Sequence, residues 1–263
     1  MRAFPPETLV DFGYKTGAQG LAKDKPFIFF VHGAGGSALS WQGVLSPLSH
    51  RFNAVAVDLP GHGQTPGPAS DTIIGYATWL YQALREFTPG RFLLAGHSMG
   101  GAIALTYALT YPEDLLGLIL VGSGARLRVS PQILEGLGRD FPATISLIVD
   151  WCFHQNNELL KEASREMMAA AGPEVLQADF LACDRFDLMG RLGAIACPVL
   201  AIAGRQDRMT PPKFAEYLAS QIAQAELKII EDAGHMVQAE KPKEFIAAIA
   251  DFAGRLTNSP IAG

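Results

Sequence analysis

A serine framed by glycines is the feature of this sequence most able to do chemistry. The segment Gly96–Gly101 reads GHSMGG, follows the apolar run Phe92–Ala95 and precedes the helical stretch Ala102–Tyr111. A serine on so sharp a strand-to-helix turn projects its hydroxyl above the sheet, and the turn needs glycines where a side chain would clash. The helix N-terminus beneath it favours developing negative charge. Ser98 is therefore predicted to be a nucleophile.

A serine hydroxyl needs a neighbouring base, and a histidine is the usual one. His235 follows the last predicted strand, Leu227–Ile230, which places it at the carboxyl edge where the serine also lies. It is also the only histidine that comes after every other candidate element of the site, so we predict that it is the general base. The other histidines are His32, His50, His62, His97 and His154.

An acid that orients the histidine is predicted at Asp207. It stands in the segment Gly204–Asp207, directly after the apolar run Val199–Ala203. A carboxylate there can bind the far nitrogen of the imidazole and stabilise the imidazolium form. The preceding strand ends in Gly122–Gly124, which offers no carboxylate. Asp232 is a rival, but its position in the loop before the histidine favours a solvated charge.

A glycine-rich loop completes the candidate site. The segment His32–Gly36 reads HGAGG and follows the apolar run Phe27–Val31. We predict that the backbone N–H groups of Ala34 and Met99 form an oxyanion hole, in which one donor can contribute about 3 kcal/mol to transition-state stabilisation. A phosphate-binding loop is the alternative. The segment lacks both the Lys-Ser/Thr pair of a P-loop and the spacing of a dinucleotide site.

The elements that must position these residues alternate along the chain. Unbroken apolar runs indicate parallel strands covered on both faces, and helix-length stretches separate them. This alternation predicts a doubly wound α/β fold. A leading strand or hairpin is expected at Thr8–Lys15. The other predicted strands are Phe27–Val31, Ala54–Val57, Phe92–Ala95, Leu118–Val121, Val199–Ala203 and Leu227–Ile230, and the predicted helices are 71–87, 98–110, 211–222 and 242–256.

The alternation breaks once, between residues 125 and 190. This stretch has a helical pattern and is too long for a single crossover connection. We predict a helical cap at 125–190 over the carboxyl edge of the sheet, inserted into a core made of residues 1–124 and 191–263. Ordinary crossover helices packed on the sheet are the alternative.

Composition excludes several classes of function. Of 263 residues, 18% are charged and the net charge is −5, with no basic stripe for nucleic acid. No apolar run is long enough for a membrane helix. The start of the sequence has no apolar signal segment, so a cytoplasmic location is expected. The odd number and wide spacing of the three cysteines, Cys152, Cys183 and Cys197, argue against a disulfide framework or a zinc site, and buried thiols are expected.

Together these motifs resemble the α/β-hydrolase superfamily, in its compact branch with a single cap. The resemblance implies an α/β-hydrolase fold with a mostly parallel eight-stranded sheet, flanked by helices, and a cap inserted after the sixth strand. It also implies acyl-enzyme chemistry without a cofactor or metal. The motifs that carry it are His32-Gly33, Asp58–Gly63, Gly96–Gly100, Gly204–Asp207 with Pro211, and Gly234-His235. Within them, Asp58 and His62 are predicted to shape a turn.

The predicted substrate is a carboxylic ester of small or medium size. The cap is rich in Phe, Trp, Met, Leu and Ile, which suggests an apolar acyl or aromatic pocket. His32 could instead order the oxyanion loop, and Trp41 could equally belong to the core. The substrate-binding residues predicted from the sequence are His32, Gly33, Trp41, Trp151 and Met236.

Other functions of the same fold stay open at this point. Lactonases and carbon–carbon bond hydrolases resemble the chain in motif order, and the latter often hold a substrate carboxylate with an arginine. Arginines available for this are Arg126, Arg128, Arg139 and Arg185, although surface salt bridges are the simpler expectation for each. A small-molecule receptor that retains the triad is an alternative of another class. The sequence does not decide between a monomer and a dimer.

Overall fold

The sheet at the centre of the molecule has seven strands in the residues that the computed structural model describes, which are 12–17, 20–88 and 90–257. Their order across the sheet is β1-β3-β2-β4-β5-β6-β7. All neighbours pair in parallel except β1, which runs antiparallel to β3. The strands are β1 Tyr14–Thr16, β2 Phe27–Val31, β3 Asn53–Val57, β4 Phe92–His97, β5 Leu115–Val121, β6 Val199–Gly204 and β7 Ala225–Ile230.

Apolar side chains cover both faces of the sheet, as the unbroken runs in the sequence predicted. Every residue of β2, β3, β4 and β6 is buried. The described helices are α1 Gln42–Leu48, α2 Ile73–Phe87, α3 Met99–Thr110, α4 Pro131–Arg139, α5 Phe141–Cys152, α6 Glu158–Ala171, α7 Pro173–Arg185, α8 Lys213–Gln221, α9 Val237–Glu240 and α10 Pro242–Thr257. Helices α2, α3 and α8 pack on one face, and α1 and α10 on the other. The fold is therefore the doubly wound α/β architecture that was expected.

Four consecutive helices, α4 to α7, interrupt the alternation between β5 and β6. We call them the helical insertion. Side chains from α4, α5 and α7 form a small apolar core of their own, which includes Ile133, Ile148, Leu176 and Phe180. The insertion thus has an interior that is distinct from the two layers packed on the sheet.

The expected strand count and insertion point need correction. The resemblance implied eight strands with the insertion after the sixth, whereas the described residues form seven strands with the insertion after the fifth. The apolar runs in the sequence account for six of these strands, and β1 is formed near the end of the predicted leading segment Thr8–Lys15. Residues 8–11 of that segment lie outside the described residues. No apolar run in the sequence corresponded to an eighth strand.

No helix in the described part of the chain is both long and apolar enough to span a membrane.

Candidate active site

Ser98 lies on a strained turn between β4 and α3. Its backbone has φ 53° and ψ −114°, a conformation that L-residues rarely adopt. A Cβ placed on Gly96 would lie 2.1 Å from the carbonyl oxygen of Gly100, and a Cβ on Gly100 would lie 2.3 Å from that of Val31. Only glycine fits either position. The Ser98 N–H donates to the carbonyl of Val121 at 2.8 Å, which ties the turn to β5.

Asp207 and His235 form a direct hydrogen-bonded pair. The Nδ1 of His235 lies 2.8 Å from Oδ2 of Asp207, and both side chains are buried. Three further donors fix the carboxylate. The backbone N–H groups of Met209 and Thr210 donate to Oδ1 at 2.8 and 2.9 Å, and the Thr210 hydroxyl donates to Oδ2 at 2.9 Å. The acid is thereby held in one orientation toward the imidazole.

The charge of Asp207 is stabilised despite its burial. Burial alone would raise the pKa of this carboxyl group, but the neighbouring His235 and the donors from Thr210 lower it below its ordinary value. A carboxylate that stays ionised can stabilise an imidazolium on His235 and fixes the proton of the neutral ring on Nδ1. The Nε2 atom is then left to accept a proton from a nucleophile.

Ser98 and His235 line the same cavity, which has a volume of about 150 Å³. The backbone at Gly122, after β5, passes close to His235 and Asp207, and this contact was not predicted from the sequence. Gly122 has φ 52°, and a Cβ there would lie 3.1 Å from Nδ1 of His235 and 3.4 Å from Oδ2 of Asp207. The sequence reading used this glycine only as evidence that no carboxylate follows β5. Its flanking Ser123 and Gly124 were the available signal for a tight turn.

The glycine-rich loop after β2 passes close to Ser98. A Cβ on Gly33 would lie 3.2 Å from the Cβ of Ser98, and Ala34 lines the cavity. Met99 is the first residue of α3, so its N–H has no acceptor within the helix. Ala34 thus lines the same cavity as Ser98, and Met99 follows Ser98 in the chain; an oxyanion hole formed by their backbone N–H groups stays a prediction.

His32 is a fully buried residue that braces this loop and does not line the cavity. Its Nδ1 donates to the carbonyl of Gly33 at 2.8 Å, and its Nε2 accepts the N–H of Leu59 at 3.1 Å. Burial, reinforced by the nearby His62, lowers the pKa of His32 well below its ordinary value. The ring is neutral at pH 7 and its role in the structure is to order the loop.

His97 contacts both the backbone and the ring of the candidate base His235. Its Nε2 lies 3.0 Å from the backbone carbonyl of His235, and the two rings are 4.6 Å apart. Burial, followed by the proximity of His235, lowers the pKa of His97 to about 3. A neutral His97 that donates to this carbonyl holds the histidine loop in place and is a poor general base at pH 7.

Apolar side chains dominate the cavity wall. None of its lining residues in the described chain is Asp, Glu, Lys or Arg. Helices α5, α6 and α7 of the helical insertion supply much of the wall, which agrees with an apolar pocket beneath a cap. The large apolar residues that line it are Leu39, Ile148, Val149, Phe153, Leu160, Met167, Met168, Phe180, Met209 and Met236.

Three of the five predicted substrate-binding residues lie elsewhere, and the buried His32 of the glycine-rich loop is one of them. Gly33 and Met236 line the cavity, but Trp41 and Trp151 do not. Trp41 is fully buried and packs against Phe30 in the apolar layer between the sheet and helices α1 and α10. Trp151 is half-buried and packs on the core of the helical insertion. Aromatic composition alone could not separate pocket from core.

All four arginines considered for substrate binding are on the surface, in ion pairs, and none lines the cavity. Their partners are Asp187 for Arg126, Asp184 for Arg128, Glu135 for Arg139 and Asp71 for Arg185.

No group of three or more His, Cys, Asp or Glu side chains in the described residues is arranged to hold a metal ion. The three cysteines are free thiols, and burial raises the pKa of each. Cys152 lines the cavity, but its raised pKa keeps it protonated and weakly nucleophilic.

A family model described as the alpha/beta hydrolase family matches residues 28–248. The chain belongs to the α/β hydrolase family. The turn at Ser98 and the loops that carry Asp207 and His235 all lie within the matched region. The fold class and the resemblance drawn from the sequence are thus confirmed.

Relatives within the α/β hydrolases include several esterases. A thermophilic esterase of known structure is 32% identical, with a TM-score of 0.82 over 94% of this chain and 99% of that protein. A pimeloyl-[acyl-carrier protein] methyl ester esterase of Nitrosomonas europaea is 27% identical over 239 residues, 84% of this chain and 93% of that protein. An enol-lactonase of Burkholderia xenovorans is 21% identical with a TM-score of 0.85, covers 93% of this chain and 97% of that protein, and shows the shared fold.

We predict that replacing Asp207 by Asn changes how stability depends on pH. Because folding lowers the pKa of this carboxyl group, the unfolded chain binds more protons between the folded pKa and the ordinary value of about 3.9. The contribution of the ionised Asp207 to the free energy of unfolding is therefore complete above that ordinary value and is lost as the pH falls through the folded pKa. Urea unfolding of wild type and D207N should show a gap at pH 7 that narrows below about pH 4.

The exposed rival Asp232 supplies the matched control. D232N should track the wild type across the whole pH range and retain its activity, because this side chain is solvated in the loop before the histidine. A gap for D207N that is constant with pH, or a D232N profile like that of D207N, would contradict the assignment of Asp207.

Proposed function

We propose that this protein is a serine esterase that cleaves carboxylic esters with neutral, apolar acyl or aromatic groups. The observation that carries the proposal is the hydrogen-bonded pair of Asp207 and His235 beside Ser98, at a cavity whose lining in the described chain includes no Asp, Glu, Lys or Arg. The identity of 32% with a thermophilic esterase, and of 27% with the methyl ester esterase of Nitrosomonas europaea, supports ester hydrolysis.

The proposed mechanism proceeds through an acyl-enzyme. The Ser98 hydroxyl attacks the ester carbonyl while Nε2 of His235 takes its proton. The negative oxygen of the tetrahedral intermediate accepts hydrogen bonds from the N–H groups of Ala34 and Met99. The intermediate collapses as His235 protonates the departing alcohol. Water, deprotonated by the same histidine, then attacks the acyl-serine and releases the acid, with Asp207 ionised throughout.

In this proposal the helical insertion is the cap of the enzyme. Its helices α5, α6 and α7 contribute Ile148, Val149, Met167, Met168 and Phe180 to the cavity. An acyl chain that enters beside Ser98 would contact these side chains and leave water, which favours binding by roughly 25 cal/mol for each Å² of apolar surface buried. The cap would therefore select the acyl group, while the loops of the core perform the chemistry.

The lack of lysine and arginine among the described residues of the cavity wall argues against carbon–carbon bond cleavage of the kind that needs a bound carboxylate. Such a substrate requires a cation within hydrogen-bond reach, since a buried and unpaired carboxylate costs several kcal/mol. The four arginines considered from the sequence lie in surface ion pairs instead. A neutral acyl group meets no such cost here.

Replacement of Ser98 by Ala tests the proposal itself. We expect the wild type to hydrolyse p-nitrophenyl esters of several acyl lengths, and S98A to lose at least about 10⁴-fold in kcat because no nucleophile remains. Release of p-nitrophenol, measured by absorbance, gives both rates, and circular dichroism checks that S98A keeps the fold. Tight binding of esters by the wild type without turnover would instead favour a receptor, and activity on vinylogous diketones alone would favour a carbon–carbon hydrolase.

A second prediction concerns the charge of the acyl group. Two p-nitrophenyl esters of equal chain length, one ending in a methyl group and one in a carboxylate, should differ by about 100-fold or more in kcat/KM, because the wall offers the carboxylate no cation. S164R places a guanidinium on the cavity-lining face of α6 and should narrow this ratio. A169R, at an exposed position of the same helix and outside the cavity, is the matched control and should leave this ratio unchanged. Equal rates for the two esters in the wild type would contradict the neutral-acyl preference.

A further inference from the structure

Asp179, in α7 of the helical insertion, is a fully buried carboxylate that the mechanism above does not use. Nothing in the sequence pattern distinguished it from an ordinary helix charge. Burying a carboxylate is costly unless donors surround it. Its surroundings therefore show what it holds.

Three groups from three other segments direct their hydrogens at this carboxylate. The backbone N–H of Gly35 donates to Oδ2 at 2.8 Å, and Nε2 of His62 lies 2.9 Å from the same oxygen. The Tyr76 hydroxyl donates to Oδ1 at 2.5 Å. His62 belongs to the loop after β3 and Tyr76 to α2. The carboxylate thus joins the helical insertion to α2, to the loop after β3 and to the glycine-rich loop.

The partners of His62 show that the contact is an ion pair. Its Nδ1 lies 3.0 Å from the carbonyl oxygen of Pro60, which can only accept, and its Nε2 faces Asp179. Both ring nitrogens therefore donate, which fits an imidazolium beside an ionised carboxylate. Both side chains are completely inaccessible to solvent. Although burial lowers the pKa of His62, the hydrogen bond and charge of Asp179 raise it above its ordinary value overall.

The Gly35 contact is adjacent to the predicted oxyanion donor. Gly35 follows Ala34 directly and has φ 64°, so the peptide that links them turns sharply at this point. The helical insertion also packs on it, since a Cβ on Gly35 would lie 2.8 Å from Leu176 and 3.1 Å from Met168. The hydrogen bond from Gly35 to Asp179 therefore fixes the loop at a second point, two residues beyond the contact of His32 with Gly33.

We propose that Asp179 is a positioning residue, through which the helical insertion holds the Gly35 N–H and so aims the neighbouring Ala34 N–H at the oxyanion formed on Ser98. The inference rests on the proposed function in one respect, the oxyanion role of Ala34. The insertion then completes the catalytic machinery as well as covering it. Removal of the carboxylate should weaken transition-state binding more than substrate binding.

The test compares Asp179→Asn with Asp184→Asn. Asp184 lies on the same helix, and its carboxylate also accepts a backbone N–H, but from Val129, which precedes α4, and not from the glycine-rich loop. With a p-nitrophenyl ester, D179N should lose about 10- to 100-fold in kcat, up to the cost of one oxyanion donor, with KM within about threefold. D184N should stay within about twofold of the wild type in both. A D179N variant that raises only KM, or that matches D184N, would overturn the proposal.

Labelling of Ser98 by a fluorophosphonate separates this inference from the proposed function. The serine oxygen displaces fluoride from phosphorus, and the phosphoryl oxygen occupies the oxyanion hole, so the rate reports on the loop even if the natural substrate is not an ester. D179N should be labelled about 10- to 100-fold more slowly than D184N. Equal labelling rates would overturn the positioning role. Failure of the wild type to hydrolyse any ester would overturn only the proposed function.

The wild-type protein supplies a test that does not depend on the folding of D179N. The Gly35 amide should show hydrogen-exchange protection as strong as that of the amides in α7, because both open only when the helical insertion separates from the core. A Gly35 amide that exchanges at the rate of an exposed loop while α7 stays protected would contradict the proposal.

Discussion

The backbone at the end of β4 passes its neighbours so closely that the residue types around it are fixed. Gly96 faces the carbonyl of Gly100 across the turn, and Gly101 packs on Ser123 with no room for a Cβ, which would lie 2.4 Å from the side chain. As a result, Ser98 has a strained backbone conformation with a positive φ of 53°. Such strain persists only where the surrounding structure over-determines it. Here the parallel strands on either side, buried on both faces, hold the turn.

Every other part of the site is placed with respect to that turn. The carboxyl ends of β2, β4, β5 and β6 lie side by side in the sheet, and the loops that follow them carry Gly33, Ser98, Gly122 and Asp207. The loop after the edge strand β7 brings His235 back to Asp207. Contacts from the helical insertion then reach the site, since the backbone N–H of His235 donates to the carbonyl of Cys152 at the end of α5. The catalytic candidates thus depend on core and insertion together.

Two buried carboxylates, Asp207 and Asp179, have different proposed electrostatic roles. Asp207 accepts from His235, Met209 and Thr210, and we assign it to stabilising a charge that appears on the histidine during turnover. Asp179 accepts from Gly35, His62 and Tyr76, and its carboxylate is paired with His62 in the folded protein. In the proposed mechanism the first carboxylate acts on the base and the second on the oxyanion loop.

Local signals in the sequence were enough to predict much of this arrangement. Apolar runs without polar alternation indicated the buried strands, and the glycines around Ser98 indicated the turn, because both follow from sterics within a few residues. The roles of Gly122 and Asp179 could not be read in the same way. Each depends on contacts with residues distant in the chain, as between Gly35 and Asp179. The positions of Trp41 and Trp151 outside the cavity could not be predicted either, since apolar side chains occur both in the core and in the pocket wall.

The central claim is that an acyl group is transferred to Ser98 during turnover. Rapid acid quench of the enzyme while it hydrolyses a p-nitrophenyl ester, followed by mass spectrometry of its peptides, tests this directly. The account predicts that the peptide containing Ser98 gains the mass of the acyl group and loses it when substrate is exhausted. Steady turnover with no acyl group on that peptide, or with the acyl group on another residue, would contradict it.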